Sequence, residues 1–254
     1  MNPVPIAVDI GNSAIKFGVP QRVLRDEPPV WTLLLQVDTP EYDVATLLGQ
    51  LSADACIWQV ASVHRPSEQR LARLVNTLRP QDEYRLLSHR DLPLEIDVEY
   101  PDRVGMDRLV AAVAANRLRD PRRSAVVVDA GTALTVDAVS ADGVFRGGVI
   151  LAGFRMIGRA LAADTDLLPL VEDAFQEMPP PVIGRSTAAA IHSGMFWGGV
   201  GAIRELVTRF TDAMGDDPQL FVTGGDAQLL ASHVRANARF VPELALAGIL
   251  WVDE

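Results

Sequence analysis

The chain has 254 residues, and at about 150 residues per domain that gives one or two domains, each large enough for its own core. Hydrophobic residues make up 48% and charged residues 22%, a globular balance that excludes a disordered chain. Lys and Arg number 23 against 33 Asp and Glu, a formal net charge of −10. A surface of that sign repels phosphate backbones, and no local basic patch offsets it, so no nucleic-acid partner is expected.

Cys56 is the single cysteine, which excludes an intrachain disulfide and a Cys-rich zinc site and fits a reducing compartment. Met1 to Val8 carries no basic segment of the signal-peptide kind. The most apolar later stretch, Leu244 to Val252, is far below the ~18 residues that span a bilayer. A soluble, cytoplasmic protein without a membrane partner is the expectation.

In chain order, Ile6–Val8, Ile15–Val19 and Trp31–Val37 read as opening strands. Ile57–Val60 is another strand, followed by a helix over Ser67–Leu78. Gly105-Met106-Asp107-Arg108 opens a helix with apolar positions Leu109, Val110, Val113 and Leu118. Ala125–Val128, Leu134–Val139 and Val144–Ile150 form a second set of strands, with Asp142-Gly143 as a tight hairpin signal. Helical periodicity follows in Met156–Ala163 and in Thr187–Phe210. Leu220–Val222 is a late strand that ends in Thr223-Gly224-Gly225.

The most informative feature is an echo. Residues 5–16 read PIAVDIGNSAIK and residues 125–136 read AVVVDAGTALTV, with Asp9 and Asp129 placed 120 positions apart. That period is too long for a solenoid and points to a domain built twice. The reading is α/β, with two related halves, 1–118 and 119–254, meeting at the polar Arg117–Arg123 stretch that contains Pro121.

The first copy, Asp9-Ile10-Gly11-Asn12-Ser13-Ala14-Ile15-Lys16, delivers a carboxylate to a glycine turn. Gly11 lets the main chain approach a phosphate, Asn12 and Ser13 add donors, and Lys16 offers a point charge. Asp9 suits a Mg²⁺ ion held through water, because Mg²⁺ sheds its shell reluctantly. The same residues also suit a plain β-turn with a solvated lysine. The second copy, Asp129-Ala130-Gly131-Thr132, has the same two readings. The pair favours the sharper one, in which two acidic strand ends cradle a polyphosphate and its cation across a cleft.

Asp107 sits in the first turn of its helix, where the dipole alone favours an anion. The reading favoured here is that it instead projects into the cleft between the halves and takes a proton from a substrate hydroxyl, with Arg108, directed elsewhere on the helix, gripping a carboxylate or steadying transferring charge. Ser186 or Thr187 is the expected N-cap of the longest helix, with substrate hydrogen bonding by Thr187 as the other reading. Gly194, Gly198, Gly199 and Gly201 each cost this helix about 1 kcal/mol relative to Ala, which makes sense where something packs closely. Gly147-Gly148 and Thr223-Gly224-Gly225-Asp226 read as glycine pairs at strand ends, either turns or points of approach to a nucleotide. His64, His89, His192 and His233 show no metal-ligand spacing, and Cys56 has no evident base partner.

Taken together, Asp9–Lys16, Gly105–Arg108, Asp129–Thr132, Gly147-Gly148, Gly184–Thr187 and Thr223–Gly225 resemble, in order and over nearly the whole chain, the type III pantothenate kinases. The resemblance implies a duplicated actin-like, ribonuclease H-like ATPase fold, with a cleft between two halves. It implies phosphorylation of pantothenate by ATP, the first step of coenzyme A synthesis, with Mg²⁺ and a monovalent cation, K⁺ or NH₄⁺. Carried over by motif, Asp9, Ile10, Gly11, Asn12, Ser13, Ala14, Ile15 and Lys16 form the first phosphate segment, and Thr132 touches ATP. Asp107 is the proton acceptor. Tyr100, Gly105, Met106, Asp107, Arg108 and Thr187 bind pantothenate, and Asp129 holds the monovalent cation. Family members are homodimers, which suits the glycine-rich helix. Two departures from the family pattern stand out: Tyr100 lies directly beside Pro101, and Ala152-Gly153 replaces a Pro-Gly in a turn that touches no proposed chemistry. The rival readings are a kinase of the same fold for another small hydroxylated substrate, and a non-catalytic ATP-binding regulatory protein.

Overall fold

The computed structural model describes residues 3–24, 26–39, 48–49, 51, 54–171 and 179–253. The chain divides into two compact units, Met1–Leu118 with Glu243–Glu254, and Arg119–Pro242.

The first unit carries β1 (Val4–Ile10), β2 (Ala14–Arg22), β3 (Val30–Asp38), β4 (Cys56–Ser62), α1 (Arg65–Leu78), β5 (Glu83–Leu86) and α2 (Met106–Leu118). Its sheet runs in the order β3-β2-β1-β4-β5. The hairpin strands β1, β2 and β3 pair antiparallel, whereas β4 and β5 join in parallel register. Apolar residues on β1, β2 and β4 meet those of α1 in one core that includes Ile6, Val8, Phe17, Trp58, Val60, Leu71 and Val75. Phe17 meets Trp58 edge-to-face at 6.5 Å between ring centroids, and burying a side chain of that size contributes about 1.5–3 kcal/mol. His64 caps α1, its Nδ1 accepting from the Ser67 backbone N–H, so this histidine has a structural role.

The second unit repeats the plan with β6 (Ala125–Ala130), β7 (Ala133–Val139), β8 (Val144–Ala152), α3 (Phe154–Ala163), α4 (Thr187–Met214), β9 (Gln219–Thr223), α5 (Ala227–Val234) and β10 (Arg239–Phe240). Its strands lie in the order β10-β9-β6-β7-β8. Again the first three strands pair antiparallel and the last two join in parallel. The same order and the same directions in both units are the duplication that the sequence echo predicts. Its core sets Val126, Val128, Val136, Leu220 and Val222 against Phe154, Met195, Phe196 and Ile203.

Two expectations change. The half expected to span 119–254 gives up its last segment: α6 (Leu244–Leu250) belongs with the first unit. The physical cause is a backbone contact, since a Cβ at Gly248 would overlap the Val110 carbonyl of α2. A glycine there allows two helices to approach closely enough to bury Leu246, Ala247 and Ile249 completely. Gly147 and Gly148, expected at a strand end, lie inside β8. Gly148 takes the position because the Val136 carbonyl and Asp137 of β7 fill the space of a Cβ, next to a register shift at Ala138/Val139.

Candidate active site

Asp9 is the penultimate residue of β1, and in antiparallel register it faces Lys16 of β2. Cross-strand partners share one face of a sheet, so the carboxylate and the ammonium of the first motif stand side by side. Gly11 closes the turn by donating its N–H to the Ala14 carbonyl at 2.9 Å. The Gly11 carbonyl accepts from the Thr39 hydroxyl at 3.2 Å, and the Ser13 carbonyl from the Thr39 N–H at 3.0 Å, so the residue just after β3 braces the loop. Lys16 Nζ lies 3.4 Å from Glu243 Oε2, with both side chains about three-quarters buried. Lys16 therefore has a protein counter-ion that sequence reasoning missed.

Asp129 holds the equivalent place on β6, with Thr135 of β7 opposite it and Thr223 of β9 on the parallel side. Gly131 closes this turn on Ala133 at 3.0 Å. The second turn is one residue shorter than the first, so the counterpart of Lys16 in space is Thr135, where the aligned sequences put Val136.

Two glycines press on the Asp129–Thr132 turn. A Cβ at Gly153, the N-cap of α3, would fall within 3.0 Å of the Thr132 and Gly131 carbonyls, and one at Gly224 would meet the Asp129 carboxylate and the Ala130 carbonyl. The Ala152-Gly153 pair therefore does touch the proposed chemistry. Gly224 also adopts φ +99°, a region that suits glycine. Thr223 is structural, donating its hydroxyl to the Pro242 carbonyl at 3.1 Å.

Asp107 lies in the first turn of α2. Its Oδ1 accepts from the Arg108 N–H at 2.8 Å, and the space of a Cβ at Gly105 is filled by that same oxygen, with Val63 behind it. Burial pushes the Asp107 carboxyl above the ordinary carboxylate range; the Arg108 N–H and charge pull the other way without cancelling it. The Arg108 charge therefore tempers the shift at Asp107 but does not neutralise it. Met106 is the first residue of α2. Tyr100 is half-exposed and precedes a 3₁₀ turn at Pro101–Arg103, with the Arg103 guanidinium 4.5 Å above its ring.

Ser186 is the N-cap of α4, accepting from the Ala189 N–H at 3.2 Å, which leaves Thr187 exposed in the first turn. Thr187 lines an apolar groove of about 400 Å³ with Ile157, Leu161, Leu168, Gly194 and Gly198. The helix glycines divide into two kinds. Gly199 packs on the Phe154 ring, whereas Gly194, Gly198 and Gly201 face open space.

A family model for type III pantothenate kinase matches residues 5–209. The chain belongs to the type III pantothenate kinase family. A curated type III pantothenate kinase from Rhodopirellula baltica is 37% identical, with 98% of each chain covered. Another, from Symbiobacterium thermophilum, is 36% identical over 96% of this chain and 94% of the relative. Among solved structures, a protein of Campylobacter jejuni described as of the Baf family of transcriptional activators aligns with a TM-score of 0.64 and 20% identity, covering 97% and 96% of the two chains. At that identity the likeness speaks for the fold alone. Among the described residues no helix is long and apolar enough to cross a membrane, and none of His, Cys, Asp and Glu group in threes as a metal cage.

Proposed function

We propose that this chain phosphorylates pantothenate with ATP, giving 4′-phosphopantothenate and ADP, the first step of coenzyme A biosynthesis. The observation that carries the reading is Asp107: a half-buried carboxylate in the first turn of α2, held by the Arg108 N–H and with its affinity for a proton raised, on the Gly105–Arg108 motif of the family. The pantothenate primary hydroxyl attacks the γ-phosphorus, the bond from that phosphorus to the bridging oxygen breaks, and ADP leaves. The hydroxyl proton passes to Asp107. A carboxylate with a raised pKa is the better acceptor, and phosphoryl transfer asks little more of a protein than positioning and charge neutralisation.

Asn12, Ser13 and Lys16 of the first turn hold ATP phosphates, with Thr132 of the second. Asp9 offers a single carboxylate at this turn, which suits a hydrated Mg²⁺ that takes its remaining ligands from phosphates. Asp129, at its oxygen-lined turn, would hold K⁺ or NH₄⁺, and both ions supply positive charge toward the triphosphate of an acidic protein. Tyr100, Gly105, Met106, Arg108 and Thr187 bind pantothenate. A homodimer goes with the open glycines of α4 and with Leu167, Val182 and Ile183, which are 86%, 70% and 82% exposed. A second copy would cover that apolar face. A cytoplasmic location completes the reading.

The test is coupled ADP release with and without pantothenate, in K⁺ and in Na⁺ buffer. The expected result is pantothenate-dependent release that K⁺ stimulates. Release with another hydroxylated acceptor only, or nucleotide binding without release, would replace this function with a kinase for that acceptor or with a regulatory role.

A further inference from the structure

The Thr223-Gly224-Gly225-Asp226 segment ends in a residue that the reaction above leaves without a task. Asp226 is the N-cap of α5, where an aspartate ordinarily turns its side chain back to a backbone N–H of the first turn. Asp226 makes no such bond. Its own N–H donates to the Ala130 carbonyl at 3.0 Å, which ties the segment to the Asp129 turn. The residue is only 8% exposed, and among the described residues no hydrogen-bond donor meets its carboxylate. Burial raises its carboxyl above the ordinary range, and the charge of Arg155 on α3 offsets only part of that. An acidic group withdrawn from water without donors costs stability, which makes sense if a ligand brings the donors.

Three features say which ligand. The segment follows parallel strand β9 and adjoins the carboxyl end of β6, the region of an α/β sheet where nucleotides bind. Gly224 seats the backbone on Asp129, while Gly225 faces open space, so a sugar can approach the main chain there. A carboxylate only accepts hydrogen bonds, and two vicinal hydroxyls supply two donors without adding charge. We infer that Asp226 accepts the ribose hydroxyls of the nucleotide and makes this chain discriminate ribo- from deoxyribonucleotides. The inference rests on the nucleotide reading proposed above and deepens it.

The experiment compares ATP with 2′-deoxy-ATP as phosphoryl donors for the wild type, Asp226→Ala and Asp226→Asn. In parallel, the shift of the melting temperature is read with ADP and with 2′-deoxy-ADP. The wild type is expected to favour ATP in kcat/KM by about tenfold or more, the worth of one hydrogen bond to a charged group. Asp226→Ala is expected to bring the ratio within about twofold with kcat at saturating ATP little changed. Asp226→Asn, which keeps the shape and one acceptor, is expected to fall between, and it serves if the alanine variant does not fold. A wild type indifferent to the 2′-hydroxyl, or variants that keep the wild-type ratio, would overturn the inference. So would a variant whose ratio stands but whose K⁺ requirement rises, which would make Asp226 part of a cation site. If the wild type releases no ADP with pantothenate, the kinase reading fails by itself, and the melting shifts still decide the role of Asp226.

Discussion

The place that a side chain at Gly105 would occupy is filled by the carboxylate of Asp107. The glycine is there for space, since its backbone lies outside the left-handed region. The obstructing atom is the end of a side chain and can rotate away, so Gly105→Ala is expected to fold normally with its carboxylate displaced. Misplacement on the scale of an ångström costs up to about 100-fold in rate. A fall in turnover of tenfold to 100-fold at an unchanged melting temperature is the predicted outcome. Wild-type turnover would detach the position of Asp107 from the chemistry.

Asp107→Asn keeps the acceptor for the Arg108 N–H and removes the proposed proton acceptor. We expect a loss of at least ~100-fold in kcat, with ADP binding retained in a melting-shift assay. Because burial raises the Asp107 carboxyl, the wild-type rate should fall on the acid side at a higher pH than an ordinary carboxylate gives, and the variant should lack that limb. The sign for stability is the reverse of the sign for activity. A carboxyl raised on folding takes up protons in the native state, so ionisation at neutral pH destabilises the fold. The inactive variant is therefore expected to melt higher than the wild type at pH 7.

Gly153 presents a different obstacle, because backbone carbonyls of Gly131 and Thr132 fill the space of its Cβ. Neither can rotate away without deforming the turn. Gly153→Ala is predicted to destabilise the protein by about 1–3 kcal/mol in urea denaturation and to raise the KM for ATP more than that for pantothenate. An equal rise in both would place Thr132 outside the nucleotide site.

Asp82 anchors the far end of the first unit. Its fully buried carboxylate accepts from Arg79 Nε at 2.5 Å, Trp58 Nε1 at 2.9 Å and the Cys56 N–H at 3.0 Å. Burial alone would raise its pKa, but the hydrogen bonds from Arg79, Trp58 and Cys56 outweigh that and hold it below the usual range. A depressed folded pKa contributes stability that is present above the unfolded value of about 3.9 and is lost as pH falls through the folded one. Asp82→Asn, which takes the countercharge from the buried Arg79 guanidinium, is expected to cost about 3 kcal/mol at pH 7. The gap to wild type in urea midpoints should narrow toward pH 3, and KM values should not move.

Strands and helices were legible wherever a local pattern sufficed: alternation in β1 and β2, the apolar period of α4, and the doubled Asp-x-Gly turn that marks both units. Asp107 and Asp129 stood out for the same reason, since each lies within a few residues of a glycine that the structure sets close to its carboxylate. What local pattern cannot carry is contact between distant positions. Nothing near Lys16 announces Glu243, 227 positions away, and nothing near Thr132 announces Gly153. Counting along the aligned copies gave Val136 as the counterpart of Lys16, because a one-residue difference in loop length shows only once the strands are in register. Gly248 reads as an ordinary glycine until the Val110 carbonyl is seen against it.

The return of α6 to the first unit has a consequence for how this chain is made. A ribosome delivers residues in order, and the helix that α2 requires emerges only after the whole of Arg119–Pro242. Val110 and its neighbours therefore wait, uncovered and prone to stick to other nascent chains, through the synthesis of an entire second unit. An expressed fragment ending at Leu118 would never leave that condition, whereas joining residues 243–254 ahead of residue 3 through a flexible linker would let the first unit close early.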